Sequence, residues 1–284
     1  MEPNILVGAH MSISGGTHKS IARGEAIGCT AIQIFNKSSR SWHAKALSQE
    51  EINLFKSTQK ASSIKIVISH TSYLINICSP NAQTEKKSVA ALHVELDRCE
   101  QLGIPYLVLH PGSHVKSGEE VGIEKIAKNL DLILGKSKGI TKILLETMAG
   151  QGTNIGHTFE QLKAIRSKCK QKRKIGICLD TCHIFAAGYN INTKKGYQGV
   201  MKQFDKILGI NLIKAIHVND SKTECGAHKD RHGNLGKGKI ARQAFKMIMN
   251  DKRFAKVPKI LETPVQDEQE YAAEIKMLKR MVKN

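Results

Sequence analysis

A chain of 284 residues with 40% hydrophobic and 24% charged side chains can fill a core, which excludes disorder along its whole length and allows one large or two small domains. Lys and Arg total 44 against 25 Asp and Glu, and this net charge of +19 favours a polyanionic partner. No apolar run approaches a membrane span of about 20 residues, and seven scattered Cys without a CxxC pair argue against a disulfide framework and for a reducing cytosol.

The first apolar run lies at 5–9, and a helical pattern at 17–27 follows Gly15-Gly16 and stops at Gly28. His10 and this glycine pair fall where the apolar stretch of an export signal would lie, so none is expected. A run at 31–35 precedes a helix over 48–61, where Ser48 and Glu51 have the spacing of a capping box. The run 65–70 leads to a helix over 84–102 with Val89, Leu92, Leu96 and Cys99 on one face and Gly103 as its stop. Runs at 106–110, 142–147, 175–180, 213–218 and 259–262 alternate with helices at 119–134, 158–168, 199–208, 241–249 and 268–282. All the runs are short and rich in Ile, Leu and Val, as strands buried on both faces of a parallel sheet are. Eight strand–helix units of about 35 residues, with no break in composition, predict an α/β fold: a single (β/α)8 TIM barrel spanning residues 1–284. A doubly wound sheet is the alternative, but residues 8–16 lack its GxGxxG fingerprint.

The strand ends carry the chemistry. Strand three ends at His70, strand four at His110, strand five at Glu146, strand six at Asp180 and strand eight at Glu262, and His217 lies near the end of strand seven. In a barrel these ends converge on one face, where active sites lie. His183 follows Asp180 by three residues, and Asp230 and His232 stand in the loop after strand seven. Five His and four carboxylates in one small volume would bury charge at large cost unless cations were present. Imidazole and carboxylate without thiolate suit about two or three ions of Zn²⁺, Mn²⁺ or Fe²⁺. Cys178 and Cys182 flank Asp180 and are taken as packing residues.

At eight places in order the chain resembles the endonuclease IV family of apurinic/apyrimidinic (AP) endonucleases. The segments are Gly8-Ala-His-Met-Ser-Ile-Ser-Gly-Gly16, His70-Thr-Ser-Tyr-Leu-Ile-Asn76, His110-Pro-Gly112 and Leu145-Glu-Thr-Met-Ala-Gly-Gln-Gly152. They continue with Cys178-Leu-Asp-Thr-Cys-His183, His217-Val-Asn-Asp-Ser-Lys222, Asp230-Arg-His232 and Leu261-Glu-Thr263. Arg40-Ser-Trp42 also looks like the family's second-strand loop. Thr71-Ser72 stand where many members have Ala-Pro, and Thr147 where many have Asn.

The resemblance implies three zinc ions, with Mn²⁺ as an alternative occupant of one site. Carried over by motif, His70, His110 and Glu146 hold the first ion, and Glu146, Asp180, His217 and Glu262 the second. His183, Asp230 and His232 hold the third. The implied activity is hydrolysis of the phosphodiester 5′ to an abasic site in duplex DNA, with Glu146 and Glu262 as the catalytic carboxylates. A 3′-hydroxyl and a 5′-deoxyribose phosphate would result, and blocked 3′ ends would be removed at the same site. Tyr73 and Leu74 are candidates for a wedge into the duplex, and Arg40 for filling the gap left by the missing base. Lys37, Lys222, Lys229, Lys237 and Lys239 are candidate phosphate contacts. A cytoplasmic monomer without membrane attachment is expected. A metal-dependent sugar isomerase of similar barrel design is the competing enzyme, and a non-catalytic DNA-binding protein the competing class.

Overall fold

The computed structural model describes residues 5–282. Eight parallel strands form one sheet: β1 (Val7–Ala9), β2 (Ala31–Phe35), β3 (Ile66–His70), β4 (Tyr106–Leu109), β5 (Lys142–Glu146), β6 (Ile175–Asp180), β7 (Ile213–His217) and β8 (Lys259–Leu261). Neighbours pair in the order β1-β8-β7-β6-β5-β4-β3-β2. A parallel bridge between His10 and Gln33 joins the two ends, with the Met11 N–H donating to the Gln33 carbonyl at 2.8 Å, and the sheet closes into the expected barrel.

Helices α1 (Lys19–Ala26), α2 (Gln49–Ala61), α3 (Ala82–Leu102), α4 (Glu119–Lys136) and α5 (Phe159–Lys168) lie between the first six strands. Then come α6 (Thr181–Ala186), α7 (Lys194–Ile207), α8 (Arg242–Asn250) and α9 (Tyr271–Met281). The capping box of α2 is formed: Ser48 Oγ accepts from the Glu51 N–H at 3.1 Å, and Glu51 Oε2 accepts from the Ser48 N–H at 2.7 Å. Two helices depart from expectation. Helix α7 starts at Lys194 and not at Gly199, because Thr193 caps it and Tyr197, Val200, Met201 and Phe204 bury one face. That packing outweighs the cost of about 1 kcal/mol for each glycine at 196 and 199. The short α6 was not expected. It follows β6 directly, with Asp180 as its cap accepting from the His183 N–H at 2.8 Å.

Two apolar layers hold the barrel. Ala31, Ile68, Val108, Leu144, Cys178, Ala215 and Ile260 pack inside it. A larger layer between sheet and helices includes Val7, Ile32, Leu107, Leu145 and Ile177 from the strands, with Phe55, Leu96, Leu130, Phe204 and Phe245 from the helices. Along each strand the two layers alternate, as the two-residue period of a strand requires. Two small antiparallel ribbons shape the loops. Gly112–Ser113 pairs with Asn154–Ile155, and Asp220–Ser221 pairs with His232–Gly233, which folds the long loop after β7 back over the barrel mouth.

Barrel closure depends on how closely β1 approaches β2. A Cβ at Gly8 would lie 1.7 Å from the Ala31 carbonyl oxygen and 2.9 Å from Cys29 Sγ. The Gly8→Ala variant is therefore expected to lose about 1–3 kcal/mol or more of stability, since backbone cannot yield as a side-chain tip does. Its denaturant midpoint, compared with that of the parent, checks this, and an unchanged midpoint would show that the closure can relax.

Candidate metal centre

Two residues beyond each inward-facing apolar residue, the strands turn polar. Ile68 leads to His70, Val108 to His110, Leu144 to Glu146, Cys178 to Asp180, Ala215 to His217 and Ile260 to Glu262. The two-residue period thus puts six ionisable groups in one layer of the barrel. His183 joins them from α6, and Asp230 and His232 from the loop after β7.

Four groupings of possible ligand atoms result among the described residues, three of them without a thiol: His70, His110 and Glu146; Glu146, Asp180, His217 and Glu262; and His183, Asp230 and His232. Within each, the atoms lie within 4.8 Å of one another. Glu146 sits at the centre and is fully buried. Its Oε2 is 3.1 Å from His70 Nε2 and 3.2 Å from His110 Nε2, and its Oε1 is 3.0 Å from His217 Nδ1. Glu262 Oε2 and Asp180 Oδ2 approach the same His217 nitrogen at 3.2 and 3.8 Å. In the third grouping Asp230 Oδ1 is 3.2 Å from His183 Nε2 and 3.4 Å from His232 Nε2. The fourth joins Cys182 to Asp180 and His232; burial pushes the Cys182 thiol up to about 12, which keeps it protonated in the absence of an ion.

Hydrogen bonds at the far side of four rings decide which nitrogen faces inward. His70 Nδ1 donates to the Thr71 carbonyl at 2.7 Å, His183 Nδ1 to that of Thr147 at 2.8 Å, and His232 Nδ1 to that of Glu262 at 3.1 Å. A carbonyl only accepts, so each Nδ1 carries the proton and each Nε2 lone pair points into the centre. His217 is reversed. Its Nε2 donates to Gln33 Oε1 at 2.8 Å, which leaves Nδ1 as the inward lone pair. Facing lone pairs such as His183 Nε2 and His232 Nε2, 3.3 Å apart, repel unless a proton or a metal cation lies between them. The donor set is imidazole and carboxylate, which fits transition-metal ions such as Zn²⁺ or Mn²⁺.

Without an ion, protons serve as the counter-charge. Burial alone would push the Glu146 carboxyl up, but His217 and His110 outweigh it and hold the group well below the usual carboxylate range. Asp230 behaves likewise: burial raises it, His183 and His232 pull it down, and the result is about 2. Burial opposes the charged form of His183, yet Asp180 and Asp230 raise it well above its ordinary value.

Several residues of the centre were not among those read from the sequence. Gln33 donates through Nε2 to Glu262 Oε1 at 2.6 Å while it holds His217, and His10 Nδ1 lies 3.0 Å from the same amide nitrogen. Asn219 donates to Asp180 Oδ2 at 2.7 Å and accepts the Glu262 N–H at 2.8 Å. The buried Asp220 carboxylate accepts from the N–H groups of Ser221, Gly236, Gly238 and Ile240 and so folds the loop that carries Asp230 and His232. A polar Gln33 inside an apolar strand was the available signal for the first of these.

The residues proposed for DNA contact lie around the same mouth. Tyr73 is 67% exposed although its ring is 5.9 Å from that of His70, and Leu74 and Arg40 are exposed. Trp42, half-buried, packs against the core behind Arg40. Lys222, Lys229, Lys237 and Lys239 are exposed, the last paired with Glu224 at 2.8 Å. Lys37 is a correction. It is buried, with its ammonium 3.1 Å from the Glu95 carboxylate and not free at the surface.

A family model described as a xylose isomerase-like TIM barrel matches residues 21–281. The chain is 48% identical over 258 residues to a probable endonuclease 4 of Chloroflexus aurantiacus, covering 90% of each. It is 43% identical over 282 residues to a probable endonuclease 4 of Geobacter sulfurreducens, covering 99% of this chain and 95% of that protein. Among solved structures, endonuclease IV from Thermus thermophilus superposes with a TM-score of 0.84 at 34% identity, covering 96% of this chain and 97% of that one. A D-tagatose 3-epimerase-like protein, at TM-score 0.68 and 19% identity, shares the fold.

Ions that bind this donor set in the folded state alone must stabilise it. Addition of Zn²⁺ or Mn²⁺ at about 100 times its dissociation constant to chelator-treated protein is expected to add about 2.7 kcal/mol per site, or several degrees in Tm. A melting curve indifferent to both ions would remove the metal reading of the centre.

Proposed function

The chain belongs to the endonuclease IV family within the xylose isomerase-like TIM barrels, and on that premise we propose that it is an AP endonuclease of DNA repair. Its reaction would be hydrolysis of the phosphodiester 5′ to an abasic site in duplex DNA, leaving a 3′-hydroxyl and a 5′-deoxyribose phosphate. Removal of blocking groups from 3′ ends would use the same site. The observation that carries this reading is the convergence of nine His, Asp and Glu donors into three adjoining groups at the barrel mouth. One divalent ion per group is the inferred content, three Zn²⁺ with Mn²⁺ as an alternative occupant of one.

Bound there, such ions neutralise a phosphodiester, lower the pKa of water to about 7 and hold a departing oxygen. The protein groups supply placement. Glu146 offers one oxygen to the first group and one to the second, so its carboxylate fixes their spacing. Glu262, with Oε1 engaged by Gln33, presents Oε2 to the centre beside His217. These two carboxylates are proposed to orient the attacking water. His183, Asp230 and His232 would hold the ion that stabilises the departing 3′ oxygen. The excess of 44 cations over 25 acids suits a substrate whose backbone is anionic at every step. A sugar isomerase shares the barrel, but the three donor groups and the +19 charge favour DNA. Residues 1–284 are read as one catalytic domain, active as a monomer and located in the cytoplasm. Among the described residues no helix is long and apolar enough to cross a membrane.

Glu146→Gln tests the reading. A neutral amide cannot bridge two cations, so cleavage of a duplex with one abasic site is expected to fall by at least about 10²-fold while the fold persists. Cleavage near the parent rate would end the assignment.

Lesion recognition has its own test. An abasic site lacks one base's stacking, so opening the duplex there costs less than elsewhere, by a few kcal/mol at most. Tyr73→Ala and Arg40→Ala are therefore expected to weaken binding to abasic duplex more than to intact duplex, with metal content unchanged. Equal losses on both duplexes in parallel titrations would mean that these side chains merely touch backbone.

A further inference from the structure

Behind the two loops that carry Arg40 and Tyr73-Leu74 lies a buried ion pair that supplies no ligand to the metal centre. Lys37 and Glu95 are 5% and 1% exposed, and Lys37 Nζ stands 3.1 Å from Glu95 Oε1. Lys37 begins the loop after β2, and the same ammonium donates to the Ser41 carbonyl at 2.6 Å and more weakly to that of Ser38 at 3.3 Å. It therefore closes the loop around Arg40. Glu95, on α3, reaches the other loop: its Oε2 accepts the Ser72 N–H at 3.1 Å, next to Tyr73. Ser72 Oγ then donates across to the Ser39 carbonyl at 2.6 Å, joining the loops directly. A proline at position 72 would supply neither the N–H nor the hydroxyl.

One face of α3 supports the arrangement. Glu95 accepts from Asn36 Nδ2 through its main-chain carbonyl at 2.8 Å, and Arg98 donates to the Asn36 carbonyl at 2.9 and 2.7 Å and to the Lys45 carbonyl at 2.7 Å. Positions 95 and 98 are one turn apart, so both side chains meet the same loop. A buried ion pair adds little net stability over apolar residues of the same volume, because desolvation offsets the attraction. Its strength is in orientation: each charge is satisfied in one geometry only.

We propose that Lys37 and Glu95 form a clamp that sets the spacing of the Arg40 loop and the Tyr73-Leu74 loop, making them positioning residues for discrimination of abasic from intact duplex. This rests on the AP endonuclease reading. The two loops act on one lesion from neighbouring strands, and a wedge and a gap-filling side chain work together only at a fixed separation. The clamp supplies that separation without touching DNA.

The test uses the full chain with its metals and three variants, Lys37→Met, Glu95→Gln and the double variant. The probes are a duplex with a single abasic site and the same duplex intact. Either single variant leaves one buried charge unpaired, so thermal stability drops, and the double variant recovers it. The ratio of affinities for abasic and intact duplex is expected to fall about tenfold in the double variant despite that recovery. The loss should lie in KM more than in kcat, at unchanged metal content. Amide hydrogen exchange should quicken at residues 37–42 and 71–74 and stay as in the parent at 220–240. If discrimination recovers along with stability in the double variant, the pair is only structural and the proposal fails. It fails equally if exchange in the two loops is unchanged, a readout that stands even if the parent proves not to cut abasic DNA. That last result would overturn the function instead.

Discussion

The two-residue period of a strand, repeated around a closed ring of parallel strands, is the constraint from which the rest of this molecule follows. Closure allows one inside and one outside, so each strand's side chains alternate between the barrel interior and the helix layer. The apolar inner layer of Ile68, Val108, Leu144, Cys178, Ala215 and Ile260 dictates that the next inward position on each strand forms a second layer. Six ionisable groups occupy it, and Gln33 on β2 belongs to it by the same parity, after Ala31. Had any one strand slipped by a single residue, its ligand would point into the helix layer and its neighbour into the mouth.

A layer of converging carboxylates and imidazoles is a costly thing to bury, and the surroundings show how the fold accommodates it. Each inward lone pair is fixed by a proton committed to the opposite side of its ring: Thr71, Thr147 and Glu262 carbonyls for three histidines, and the Gln33 amide for His217. Asn219 links Asp180 to the Glu262 backbone. The polar groups are therefore pre-oriented before any ion arrives, and a bound cation takes over the counter-charge that protons supply in its absence. The mouth itself is built from loops, and these depend on carboxylates of another kind. Asp220 gathers four main-chain N–H groups and Glu95 pairs with Lys37, and both carboxylates are buried.

Most of the barrel was legible because its signals are local. Short Ile, Leu and Val runs, glycine stops such as Gly28 and Gly103, and the Ser48–Glu51 box depend on residues a few positions apart. The misread start of α7 shows the limit. Gly196 and Gly199 argue locally against a helix, and only the burial of Tyr197, Val200, Met201 and Phe204 against the rest of the fold overrides them. Lys37 shows it again. Next to a loop on a basic protein, a lysine reads as solvated, and its partner Glu95 lies 58 positions away in sequence on α3.

What the sequence determined by itself was the alternation of strands and helices, the chemistry at the strand ends and the eight motifs that mark the family, since each is written in the order and spacing of neighbouring residues. The tertiary structure alone decided which ring nitrogen each histidine turns inward, that Gln33 and Asn219 belong to the centre, that Asp220 folds the loop of Asp230 and His232, and that Lys37 is a buried tie. All of these depend on groups brought together by barrel closure from strands and loops far apart in the chain, and a hydrogen bond between such groups leaves no mark on the local pattern of either one.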